Sequence, residues 1–131
     1  MRVPGPAMQR IVLASGSPYR KRLLQRLGLD FVCISPDVDE TPASGETPEA
    51  LVLRLSEAKA RAVARLAPDA LVIASDQVGA TDGRLLGKPG TSERAEQQLR
   101  SISGRAVRFL TGLCVLDARS GRALSGVETC T

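Results

Sequence analysis

The sequence predicts an α/β domain built on a mixed β-sheet with flanking helices, and three observations carry that prediction. Short apolar runs alternate with helix-period segments through the first half. An Asp-Gly turn and longer alternating runs, typical of antiparallel strands, follow in the second half. With 131 residues and 43% hydrophobic content, the chain can bury one core, and its composition suggests neither disorder nor a second domain.

Residues 1–9 read as an irregular or disordered extension. Met1 to Ala7 carries a charge but no apolar run, so it fits neither a signal peptide nor a membrane anchor. Ile11-Val12-Leu13-Ala14 is a short buried strand. Ser17 and Pro18 then supply a helix cap and a first-turn proline, and Leu23, Leu24 and Leu27 predict a one-sided apolar face ending at Gly28. Leu29 to Ser35 reads as a second strand, and Pro36 to Pro42 as an acidic loop.

Thr47 and Pro48 open a second helix with Leu51, Leu55, Ala58, Ala62 and Leu66 on its apolar face, stopped by Pro68. Leu71 to Ala74 is a buried strand with Ser75-Asp76-Gln77 at its carboxyl end, followed by a hairpin on Asp82-Gly83 and a loop over Gly87 to Gly90. A third helix is expected from Ser92 to Ile102, with Ala95, Leu99 and Ile102 inward and Gly104 closing it. A long strand over roughly Val107 to Asp117 turns at Arg119-Ser120-Gly121 into a last strand running to Thr131.

Composition narrows the chemistry. The net charge of +4 favours anionic partners, but Tyr19, Phe31 and Phe109 are too few aromatics for a single-stranded nucleic-acid platform. With no histidine, a general base must come from Asp, Glu, Lys, Tyr or Cys, and a metal site must be built from oxygen. Cys33, Cys114 and Cys130 form no C-x-x-C pair and read as reduced thiols filling strands in a cytoplasmic protein.

The turn Ser15-Gly16-Ser17-Pro18-Tyr19-Arg20-Lys21-Arg22 sets hydroxyls, free N–H groups and cations at a helix N-terminus. All of these suit a phosphate; the plainer reading is an ordinary capped helix with a solvated basic first turn, and the opposition of those cations to the helix dipole favours the phosphate. Asp37, Asp39, Glu40 and Asp76 can together hold a divalent cation such as Mg²⁺ and activate water; the plainer readings are a solvated acidic loop and a turn-capping Asp76. Fifteen arginines against three lysines (Lys21, Lys59 and Lys88) suggest that each retained lysine serves as a compact point charge.

Six segments in order and spacing resemble the Maf family: Leu13 to Pro18, Asp37 to Glu40, Glu57 to Ala60, Ser75 to Val78, Leu86 to Pro89, and Ser103-Gly104 leading to Leu110-Thr111-Gly112. The resemblance implies a Maf/Ham1 (ITPase-like) architecture over residues 10–131, with a cleft between two lobes. It also implies hydrolysis of a nucleoside triphosphate between its α and β phosphates, aided by a divalent metal, Mg or Mn. By that resemblance Asp76 is the catalytic proton acceptor. Ser15, Ser17, Tyr19, Arg20, Lys21, Lys59, Gln77 and Lys88 bind substrate, and Glu40 and Asp76 hold the metal.

Tyr19 and Gln77 are similar to the branch preferring 7-methyl-GTP, where an aromatic ring faces the methylated, positively charged guanine, a contact worth about 0.5–2 kcal/mol. The plain alternative has Tyr19 packing on its own helix. Family members continue past the point matching Thr131, so the domain is expected to be C-terminally incomplete. The alternative function is a truncated, non-catalytic nucleotide-binding protein, and a nucleic-acid-binding module ranks last. The expected partner is a nucleotide rather than nucleic acid or membrane, with a homodimer left open.

Overall fold

The computed structural model describes residues 9–81, 84–86, 92–102, 104 and 106–130. Among these residues six strands and three helices follow in the order β1 (Ile11–Ala14), α1 (Pro18–Arg26), β2 (Val32–Cys33), α2 (Pro48–Ala64), β3 (Leu71–Thr81), β4 (Arg84–Leu86), α3 (Ser92–Ile102), β5 (Arg108–Asp117) and β6 (Ala123–Cys130). The strands form one mixed sheet in the order β2-β1-β3-β5-β6, with β4 also on β3. β1 is parallel to both β2 and β3, whereas β3–β4, β3–β5 and β5–β6 are antiparallel. The predicted fold class is the observed one.

The core lies between α2 and one face of the sheet. Val12, Ala14, Val72, Ala74, Cys114 and Leu116 meet Ala60, Val63 and Ala67 there, all essentially without solvent contact. The helix buries Leu51 and Leu55 as predicted, but the rest of its inward stripe is shifted from the expected positions. Val52, Ser56, Ala60 and Val63 are fully buried, Ala58 and Ala62 only half-buried, and Leu66 is exposed. Beyond Leu55, small residues set the stripe because the helix approaches the sheet closely, a packing demand that outweighs side-chain hydrophobicity.

Three further expectations are corrected. The apolar face of α1 is not packed: the helix buries no residue, and Leu23 and Leu27 stand in solvent. Nine residues are too few for a helix to hold by propensity alone. The ends instead hold it, through the Ser17 cap at the start and Gly28 in the left-handed region (φ 73°) after Leu27. The expected strand over 29–35 shrinks to the exposed pair Val32–Cys33 on the sheet edge, and Ile34 N–H adds one further bond to the Leu13 carbonyl. β3 runs on through Ser75-Asp76-Gln77 to Thr81, because the long β5 offers it ten successive partners from Leu71↔Asp117 to Ala80↔Arg108. Cross-strand pairing there overrides the low strand preference of Ser, Asp, Gln and Gly.

Local turn chemistry holds as predicted. Thr81 pairs with Arg84, as a two-residue hairpin requires. Between β5 and β6, Gly121 takes φ 77° and its N–H bonds the Asp117 carbonyl at 2.8 Å. The three cysteines lie in strands as free thiols, with Cys114 buried and Cys33 and Cys130 exposed. No helix among the described residues is long and apolar enough to cross a membrane.

Candidate active site

The sheet opens where β3 loses one of its two neighbours. Pairing with β1 stops at Ala14↔Ala74, and pairing with β4 starts at Gly79↔Leu86. Between them, among the described residues, 75–78 are laddered only to β5. A groove of about 890 Å³ occupies this gap, large enough for a mononucleotide. Ser17, Tyr19 and Arg20 line it from the start of α1, Glu40 from the acidic loop, Lys59 from α2, and Asp76 and Gln77 from the open stretch of β3.

Beyond them the groove becomes apolar, with Val78, Leu85, Leu86, Leu99 and Phe109. That end was not foreseen, for its residues come from β3, β4, α3 and β5, and nothing in their local sequence marks them as neighbours. Leu99, expected inward on α3, is exposed on the groove instead; Ala95 and Ile102 lie outside the residues with described side chains.

Lys59 is the centre of the polar half. Its Nζ donates to Asp76 Oδ1 at 2.6 Å and lies 3.2 Å from Glu40 Oε1. The Lys59 and Asp76 side chains are 13% and 11% exposed, so the pair is largely withdrawn from water yet still reaches the groove. Asp76 Oδ2 accepts no hydrogen bond from any described residue, which leaves it free to bind water. Neighbouring Ser75 turns to the sheet interior and donates to the Gly112 carbonyl at 2.7 Å.

The Ser15 to Lys21 turn is built by its own hydroxyls. Ser15 is buried, and its Oγ accepts from Ser17 N–H at 3.0 Å; Ser17 Oγ in turn accepts from Arg20 N–H at 3.3 Å. α1 has no acidic residue in its first turn, so Arg20, Lys21 and Arg22 stand unopposed there at the positive end of the helix dipole. Of the predicted residues the groove therefore gathers Ser17, Tyr19, Arg20, Glu40, Lys59, Asp76 and Gln77. Ser15 lies beneath the turn as its organiser, Lys21 is exposed beside the groove lining, and Lys88 lies outside the described residues.

Of the acidic residues in the loop only Glu40 lines the groove, with Pro42 near it. Asp39 Oδ1 accepts from Thr41 N–H at 2.9 Å, and bonding to Thr41 holds its carboxyl below the usual range. Glu46, which reads as an ordinary helix-start acid, is a clasp. It takes two hydrogen bonds from Arg54, at 2.7 and 3.0 Å, and one from Ala43 N–H at 2.9 Å. Arg54 also donates to the Thr41 carbonyl at 3.2 Å, tying the loop that bears Glu40 to α2. The Arg54 bonds come first among the causes that bring the Glu46 pKa down to about 2.

Glu40 and Asp76 are oxygen donors of the type a hard divalent cation takes, and both sit against the Lys59 ammonium. They are only two, and no group of three or more His, Cys, Asp or Glu gathers among the described residues. Such a pair fits Mg²⁺, which commonly takes one or two carboxylates and completes its shell with water and substrate phosphates.

The fold and groove together define an α/β domain whose opened sheet brings a carboxylate, a bridging lysine and a basic helix start to one groove. The chain belongs to the Maf family: residues 10–131 match the family described as Maf-like protein. It is 55% identical over 128 residues to a protein of Nitrosococcus oceani named 7-methyl-GTP pyrophosphatase, covering 98% of this chain and 64% of that one. Proteins of the same name from Cupriavidus pinatubonensis and Burkholderia lata are 51% and 58% identical over 123 and 117 residues. Those matches cover 93% and 87% of this chain, and 62% and 56% of theirs. The chain thus spans roughly three-fifths of the length of these relatives. A HAM1 protein from Coxiella burnetii has a similar fold, with a TM-score of 0.63 at 23% identity over 93% of this chain and 72% of that one.

Proposed function

We propose that this chain forms the catalytic groove of a nucleotide pyrophosphatase acting on 7-methyl-GTP. The observation that carries the reading is the meeting of Asp76, Lys59 and the Ser17–Arg20 helix start in one groove. One polyphosphate can touch all three. The relatives' printed name supplies the substrate, and Tyr19, which is 64% exposed on the groove wall, supplies an aromatic face for a cationic base.

In this reading the carboxylate of Asp76 orients a water through Oδ2 and takes its proton. The water oxygen bonds to the α-phosphorus, the bond to the α–β bridging oxygen breaks, and pyrophosphate leaves with the bonding pair. Lys59 fixes Asp76 through Oδ1 and, with Arg20, neutralises charge gathering on the phosphate oxygens. Ser17 keeps the N-terminus of α1 in place by accepting from Arg20 N–H, which sets the positive end of the helix dipole at the groove that Ser17, Tyr19 and Arg20 line. Glu40 and Asp76 would hold Mg or Mn, which supplies further positive charge to the phosphates when bound.

Incubation with 7-methyl-GTP, GTP, dTTP and UTP in Mg²⁺ or Mn²⁺ tests the reading by pyrophosphate release. The expected result is fastest release from 7-methyl-GTP, abolished in Asp76→Asn with nucleotide binding kept. Equal rates for all four remove the substrate, and binding without turnover leaves a nucleotide-binding protein.

A further inference from the structure

We propose that Gly112 is a positioning residue for the Lys59–Asp76 pair, holding the two together by having no side chain. The proposal rests on the pyrophosphatase reading for its effect on turnover and on geometry alone for its effect on the pair.

Gly112 is the cross-strand partner of Asp76 and lies on the sheet face that α2 covers, in line with the buried Leu110, Cys114 and Leu116. A Cβ there would stand 2.4 Å from the Val52 carbonyl oxygen, 2.7 Å from its carbon and 2.6 Å from Ser56 Oγ. Backbone atoms cannot rotate away, and Ser56 Oγ is itself engaged, donating to Val52 O at 2.7 Å. The sheet side is equally fixed, because Ser75 Oγ clamps the Gly112 carbonyl. A single added methyl therefore has to lift α2 by roughly 1 Å to regain van der Waals distance.

Lys59 rides on the same helix, one turn beyond Ser56, while Asp76 stays with the sheet beside residue 112. A contact of 2.6 Å between them does not survive such a lift as a short charged hydrogen bond. The glycine thus sets the separation of the two layers at the place where the site bridges them.

The test uses the full chain with Gly112→Ala, and Leu116→Ala as a control that removes volume from the same α2–sheet core instead of wedging the two layers apart. The chain has only three lysines, so the Lys59 ammonium resonance is assigned by its loss in Lys59→Arg. In the parent chain Asp76→Asn is expected to move that resonance. In Gly112→Ala it should already be displaced, and adding Asp76→Asn should move it little further.

With 7-methyl-GTP, Gly112→Ala should lower kcat by about 10- to 100-fold with KM nearly unchanged. In a Lys59→Met background the same substitution should have almost no effect on kcat, since the pair it disturbs is gone. An unmoved Lys59 resonance in Gly112→Ala overturns the proposal, as does a loss of kcat that multiplies undiminished in the Lys59→Met background. An equal kcat loss in Leu116→Ala also overturns it. If Gly112→Ala does not fold, Ser56→Cys places a larger atom at the same contact and is read by the same resonance. A parent chain without turnover sinks the functional reading alone, since the resonance decides the positioning claim by itself.

Discussion

Replacing Lys59 by Met keeps the length of the stem and deletes the charge that Asp76 and Glu40 share. Two regimes bound the cost. Removing one partner of a buried ion pair costs about 3–5 kcal/mol, because the other charge is left uncompensated. Removing one partner of an exposed pair costs about 1 kcal/mol or less. With only 13% and 11% of the Lys59 and Asp76 side chains exposed, the pair belongs near the lower edge of the buried regime. Glu40, 43% exposed, adds little. The expected loss is therefore about 3 kcal/mol, read as a shift in the urea midpoint at pH 7 with the slope unchanged. Asp76→Asn should cost less, about 1–2 kcal/mol, since the amide still accepts from Lys59 and the ammonium keeps Glu40. The double variant should be more stable than Lys59→Met alone, because the stranded carboxylate is gone. A Lys59→Met loss below about 1 kcal/mol, or strict additivity in the double variant, would refute the claim that this pair is withdrawn from water.

The other expectations follow from single contacts. Glu46 has a folded pKa of about 2 against an ordinary 4.5, so its clasp with Arg54 stabilises the fold above pH 4.5 and is lost as pH falls toward 2. Arg54→Gln should flatten the dependence of the denaturation midpoint on pH within that window and leave the neutral limb parallel. Thr47→Ala removes the cap that accepts from Ala50 N–H at 3.1 Å and should cost about 1 kcal/mol in chemical denaturation. Tyr19→Ala should raise KM for 7-methyl-GTP more than for GTP, within the about 0.5–2 kcal/mol of a cation–π contact, and Tyr19→Trp should recover it. Chelation of divalent cations should stop pyrophosphate release while leaving the circular dichroism spectrum unchanged.

What the sequence disclosed and what it concealed divide along the range of the interaction responsible. The Ser17 and Thr47 caps, the Asp82-Gly83 and Arg119-Ser120-Gly121 turns and the β1 run are decided within a few residues, and all were legible except for the conformation of 82–83, which lies outside the described residues. The stripe of α2, the length of β3 and the apolar end of the groove are decided by partners far along the chain. Ser75 to Gln77 look like the end of a strand because local propensity falls there. They remain in β3 because β5 pairs with them from more than thirty residues away. That difference bears on chemistry. A carboxylate on a strand terminus would sit on a loop able to move, whereas Asp76 sits inside a laddered strand, with only the β1 side of its backbone unpaired among the described residues. The opening in the sheet is therefore created by the shortness of β1, whose last strand residue is Ala14. The turn that begins at Ser15 carries the chain out of the sheet and into the basic start of α1. A single break in one strand both vacates the space beside Asp76 and fills its rim with the groups an anion needs.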